Sequence, residues 1–176
     1  MEQTTKTTVI NYGIYLGGII SLITIIVYGV DLDLFINPWL GIVLFILVIA
    51  FGAISAINSR KLLGGFISFK QTFSSYFITI SVGTMISSIV GIAIFTFIDS
   101  EAAVYLNEQV LILTKETMER IGLPQEDVAA AIEEASKNDN FSLGAQIQAF
   151  VFRLVFYAVI GLIVGLIIKK TDSKDA

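Results

Sequence analysis

The sequence predicts an all-α membrane protein: a four-transmembrane-helix bundle with an extramembrane amphipathic helical hairpin between its third and fourth helices. Three observations lead there. Hydrophobic residues make up 55% of the 176 residues and charged residues only 15%, and mean hydropathy is +0.83. The apolar residues fall in four blocks at about 9–29, 38–57, 73–98 and 149–168, each long enough as a helix to cross the ~30 Å of hydrocarbon in a bilayer. Ten of the 15 acidic residues lie between the third and fourth blocks. The chain reads as one membrane domain with residues 99–148 inserted in it as an acidic helical hairpin.

The third block is the packing spine. Phe73 to Ile98 carries no charge, and its small residues Ser75, Thr79, Gly83, Ser87 and Gly91 recur every fourth position, a smooth stripe against which another helix can pack closely. Helix one shows the same spacing at Gly13, Gly17 and Ser21. A cleaved signal peptide is the competing reading of this first block, but such a segment has an apolar core of about 7–15 residues ending at a small-x-small site. Here the run continues through Val27, Tyr28, Gly29 and Val30 into Asp31 and Asp33, which favours a retained helix.

Asn37 followed by Pro38 starts helix two, the amide capping free N–H groups and proline standing where its missing donor costs nothing. Tyr28 and Trp39 then fall at the same end of neighbouring helices, where amphipathic rings prefer the membrane boundary. The loop from Asn58 to Gln71 holds Arg60, Lys61 and Lys70 without an acid. Ser68 and Gln71 have capping-box spacing and start helix three near Phe69. Gly64 and Gly65 form a joint before it, and two readings stay open: a structural hinge, or a site where their backbone or Lys70 meets a lipid phosphate or anionic ligand.

Beyond the third block, Ala103, Leu106, Val110, Leu113, Met118 and Ile121 repeat at helical spacing, predicting a helix over about 100–121. Gly122 stops it, and Pro124 precedes a shorter helix with Val128, Ile132 and Ala135 on its apolar face. Ten acids against Lys115, Arg120 and Lys137 give this segment a charge of −7. No Asp-rich calcium loop is present, so the acids read as a solvated face. In the fourth block Gly161 and Gly165 form a GxxxG pair, and the same row reaches Tyr157 and Arg153. Basic residues in the 58–71 loop and the C-terminal tail, against none in 31–37, place both termini in the cytoplasm and the hairpin outside it.

Four such helices, the run Gly64-Gly65-Phe66-Ile67-Ser68-Phe69-Lys70-Gln71-Thr72-Phe73 at the entry to the third, and the charged hairpin together resemble the bacterial integral-membrane family called domain of unknown function 4199 (DUF4199). The resemblance covers nearly the whole chain. It implies a multi-pass protein of the bacterial inner membrane and brings no catalytic residues with it.

Arg153 is the sharpest single residue, about 6 Å inside the far end of helix four at 1.5 Å per residue. Three readings stand beside one another: a side chain that snorkels to the surface, an ion pair with Asp99 or Glu101, and a contact with an anion or substrate. With no histidine and no cysteine, the chain lacks imidazole bases, thiol nucleophiles and zinc-type ligand sets. No carboxylate lies in the four spans and every lysine lies in a loop or tail, so neither aspartyl nor serine chemistry has its parts. The expectation is therefore no catalytic site, no cofactor and no metal. Eleven basic residues against 15 acidic, net charge −4, give no basic face for nucleic acid. The expected partners are membrane lipids, an envelope protein at the acidic hairpin, and further copies of the chain through the small-residue faces. The leading function is a non-catalytic interaction or structural module. The alternative is a small homo-oligomeric transporter or channel component.

Overall fold

The computed structural model describes residues 3–170; the polar tail expected over 171–176 lies outside the described residues. Six helices follow in order: α1 (Gln3–Val30), α2 (Pro38–Leu62), α3 (Phe69–Ile92), α4 (Ser100–Arg120), α5 (Gln125–Ser136) and α6 (Leu143–Ile168). A 3₁₀ turn, Leu32–Ile36, links α1 to α2, and α3 runs directly into a π-helical turn, Ala93–Ile98. Four helices are long and apolar enough to cross a membrane: α1, α2, α3 with its π turn, and α6.

Local chemistry sets most of the boundaries. The Asn37 side chain accepts the Trp39 N–H at 3.0 Å ahead of Pro38. Ser68 and Gln71 close a reciprocal capping box at the start of α3. α2 runs past residue 57 to Leu62 and ends where Gly64, at φ +77°, donates to Lys61 O and Gly65 donates to Arg60 O. This is a Schellman-type stop that needs a residue without Cβ. α4 ends the same way at Gly122, φ +82°, with Leu123 N bonded to Met118 O at 3.2 Å. α6 starts at Leu143 rather than at 149, because Ser142 caps it by accepting the Ala145 N–H.

The interior is small and polar while the exterior is large and apolar. α3 lies at the centre, packed on α1, α2 and α6; α1 also packs on α2, whereas α2 and α6 meet only briefly. Buried along α3 are Thr72, Ser75, Thr79, Gly83, Thr84 and Ser87. Tyr15, Leu22, Ile46, Phe152 and Ile167 point outward. In water this arrangement would leave a large apolar surface uncovered. In lipid, tails are as apolar as leucine, so helices associate through close backbone approach and interhelical hydrogen bonds.

The close approach is visible atom by atom. A Cβ on Gly13 would lie 2.7 Å from Val82 Cβ, one on Gly17 2.7 Å from Ile86 Cβ, and one on Gly83 2.7 Å from Leu16 Cδ2. Thr79 then joins three helices: its hydroxyl donates to Val9 O at 3.1 Å and accepts from Ser55 Oγ at 2.7 Å. The fully buried Tyr76 ring is held between α2 and α6, with Gly52 on one edge and Gly161 on the other.

The two ends of the molecule differ in charge. At one end the loop after α2 joins the end of α6: Ile67 and Lys170 exchange backbone hydrogen bonds at 2.8 and 2.9 Å. There Arg60 Nη1 donates to Ile168 O at 3.3 Å, and Lys170 Nζ lies 5.6 Å from the Phe66 ring centre. Asn58 Nδ2 donates to Tyr12 Oη at 2.6 Å, tying α1 to the same end. Lys61, Lys70 and Lys169 share it, and no acid is found there among the described residues. The opposite end carries Asp31, Asp33, Asp99 and the α4–α5 hairpin.

Candidate functional site

Two places collect side chains that packing alone does not require: the base of the hairpin and a crevice between α2 and α6. The base is built on Phe95, which the π turn presents to Tyr28 and Phe35 edge-on, with ring centres 6.3 and 5.3 Å away, and to Phe141 at 5.3 Å. Ala102, Ala103 and Leu106 of α4 are buried on this aromatic cluster. Asp99 ends the π turn and caps α4. Its carboxylate accepts the Ala102 N–H at 2.9 Å and the Tyr28 O–H at 2.8 Å. These bonds, the Ala102 one foremost, hold its pKa below the ordinary value near 3.8. Beside it Tyr105 O–H donates to Asp33 at 2.7 Å, and that bond to a carboxylate raises the phenol's pKa. Asn107 closes the base by donating to Asn138 O and accepting from Asn140 Nδ2.

Past Leu106, α4 leaves the rest of the molecule. At 1.5 Å per residue, Asn107 to Arg120 extends roughly 20 Å beyond the base, with α5 laid along it through Val128. Glu108, Glu116, Glu119, Glu126, Asp127, Glu133 and Glu134 are all exposed on this pair. Val128 is buried as its spacing predicts, but Leu113 and Ile121, expected on the inner face of α4, are exposed.

The crevice consists of two adjoining recesses of about 320 and 280 Å³ that share Ile20, Leu44, Ser87 and Arg153. The outer recess adds Thr24, Gly91, Asn140 and Gln146. The inner recess adds Gly41, Phe45, Val48, Thr84 and Tyr157. No aspartate or glutamate lines either one.

The structure corrects several readings of the sequence. Arg153 does not pair with Asp99 or Glu101: among the described residues the one ion pair within 4.0 Å is Lys137–Glu133, at 3.3 Å. The π turn is the reason. It inserts one residue into the helix, turning Asp99 by about 100° to meet Tyr28 on α1, while Glu101 is exposed in the first turn of α4. Gly91 continues the small-residue stripe in sequence but touches no helix. A Cβ there would meet nothing within 4 Å, and the position lines the crevice. The Gly64 and Gly65 N–H groups are engaged by carbonyls of α2, so they are not free to hold a phosphate; Lys70 is exposed at the start of α3.

The remaining small residues stand where their spacing put them. Gly13, Gly17, Ser21, Ser75, Thr79, Gly83 and Ser87 are buried on α1 and α3. Gly161 and Gly165 pack on Tyr76, Phe73 and Phe69, and Tyr157 is buried on the same row as Gly161. Tyr76, Gly52 and Phe95 are the positions that the spacing argument missed. Gly52 stands four residues before the buried Ala56, a small-residue pair that could have marked it; Tyr76 and Phe95 belong to no such repeat.

A family model described as "Protein of unknown function (DUF4199)" matches residues 11–170. No curated protein and no solved structure matches the chain.

Proposed function

The chain belongs to the DUF4199 family, and from that premise we propose that it is a non-catalytic, multi-pass protein of the bacterial inner membrane that displays its acidic hairpin to a partner in the envelope. In this reading the four long helices form a membrane-embedded bundle, both termini are cytoplasmic and residues 99–148 lie outside. The placement of Arg60, Lys61, Lys70, Lys169 and Lys170 at one end supports that orientation, because basic residues of short loops stay on the cytoplasmic side.

One observation carries the functional reading. The hairpin base is fixed by aromatic packing and side-chain hydrogen bonds, while the rest projects with its acids exposed. A segment with no partner would gain nothing from a rigid mount. The charge indicates a partner with a basic face and an association that weakens with salt.

Because Asn107 bonds to Asn138, residues 109–137 can be replaced by a short Gly-Ser linker without disturbing the base. The shortened chain is expected to insert and to keep its thermal stability. Photo-crosslinks formed from residues 116 and 126 of the intact chain to one envelope protein should disappear when four hairpin acids are changed to lysine. Unchanged crosslinks after charge reversal would refute an electrostatic partner site. The second reading, a small homo-oligomeric carrier or channel, draws on the hydroxyl-bearing crevice. It requires oligomers in mild detergent and solute flux in proteoliposomes.

A further inference from the structure

We infer that the crevice between α2 and α6 is a binding site for one anionic phospholipid, with the lipid phosphate on Arg153 and an acyl chain in the inner recess. The inference depends on the membrane placement of the four helices and is independent of what the hairpin does.

Depth comes first. Arg153 lies 15 positions before Ile168 on α6, which is about 22 Å along the helix. Measured from the basic end across ~30 Å of hydrocarbon, its Cα sits roughly 8 Å beneath the opposite boundary, where a guanidinium needs a counter-charge or a polar path to the surface. Among the described residues no carboxylate lies within 4.0 Å of it. Nor would the spanning helices of a second copy supply one, since α1, α2, α3 with its π turn, and α6 contain no aspartate or glutamate. Arg153 is exposed, and its side chain is long enough to rise toward the boundary, where lipid phosphates are the abundant anion.

Both recesses mix polar and apolar lining, as an amphiphile requires: Asn140 and Gln146 stand beside Phe95 and Phe141 in the outer one, and Thr84 and Tyr157 beside Phe45 and Val48 in the inner one. The weak contact between α2 and α6 leaves the crevice between outward-facing apolar side chains such as Val43 and Phe152, in the plane of the acyl chains. Gly41 in the inner recess and Gly91 in the outer have nothing within 4 Å of their Cβ positions, so either can take a side chain without meeting the protein there.

The guanidinium can hold a phosphate through two parallel N–H···O bonds, which an ammonium cannot reproduce. The test is native mass spectrometry of the full chain in detergent, titrated with phosphatidylglycerol, with phosphatidylcholine and with inorganic phosphate. One phosphatidylglycerol per chain is expected to bind at least about tenfold more tightly than phosphatidylcholine, with inorganic phosphate unable to displace it. Arg153→Gln should remove that preference. Gly91→Leu and Gly41→Leu, which add bulk to the crevice without meeting the protein at Cβ, should keep the melting temperature and lose the bound lipid. Equal retention of the two lipids, binding unchanged in Arg153→Gln, or displacement by inorganic phosphate would each overturn the proposal, the last by making the occupant a free anion. Loss of flux without loss of lipid in the same variants would place a transported solute there instead.

Discussion

A Cβ on Gly161 would stand 2.7 Å from Tyr76 Cδ1, and the ring cannot withdraw because a Cβ on Gly52 would be 2.6 Å from its other edge. Gly161→Ala is therefore expected to lower stability in detergent by about 1–3 kcal/mol through overpacking. Gly91→Ala, in open space, should be neutral or gain up to ~1 kcal/mol from helix propensity. Thermal or SDS unfolding read on the single tryptophan compares them; equal shifts would dissolve the clamp around Tyr76. Asp99 gives a pH prediction with a definite sign. Its folded pKa lies below the ordinary 3.8, so its stabilisation is complete above that value and is lost as pH falls through the lower folded value. Amide exchange over 102–106 should speed up in acid beyond the change at α6, and Asp99→Asn should flatten that response. Tyr28→Phe removes one of the two bonds to the carboxylate and should move the loss to higher pH.

Among the elements, the hairpin is the one that can open while the long helices stay packed. It touches the rest of the molecule mainly through the first two turns of α4, where Leu106 is fully buried. Leu106→Ala is expected to cost about 2–5 kcal/mol at this base, seen as faster amide exchange through α4 and α5 with α1 and α3 unchanged. Ile112→Ala, half-exposed farther along the same helix, should stay within about 0.5 kcal/mol. If both variants behaved alike, α4 would not be anchored where the aromatic cluster sits. At the other end, Arg60 Nη1 donates to Ile168 O at the C-terminus of α6. Favourable interaction of a cation with a helix C-terminus thus adds to the packing that links the second and fourth spans.

Taken whole, the molecule gathers Arg60, Lys61, Lys70, Lys169 and Lys170 at the loop end with no acid there among the described residues, while the hairpin end carries the carboxylates together with Lys115, Arg120 and Lys137. Orientation can be read directly because the chain has no cysteine. A single cysteine at exposed Ala130 should react with an impermeant maleimide from outside the cell. One at Phe66 should react only after permeabilisation; Phe66 is preferable to Gly65, whose φ of +95° strains any side chain. Labelling of both from outside would reverse the proposed topology. The apolar blocks, the Asn37-Pro38 start, the Ser68–Gln71 box and the Gly122 stop were legible in the sequence because each depends on residues within a few positions. So were most of the packing glycines, since a four-residue repeat puts them on one helix face whatever that face meets. Tertiary structure alone decided which small residues are covered and which stay open, that Tyr76 is the side chain they enclose, and that Asp99 turns to Tyr28 and leaves Arg153 at the crevice. Those outcomes depend on how each helix is rotated against its neighbours, and the single extra residue in the π turn resets that rotation without leaving a mark in composition or spacing.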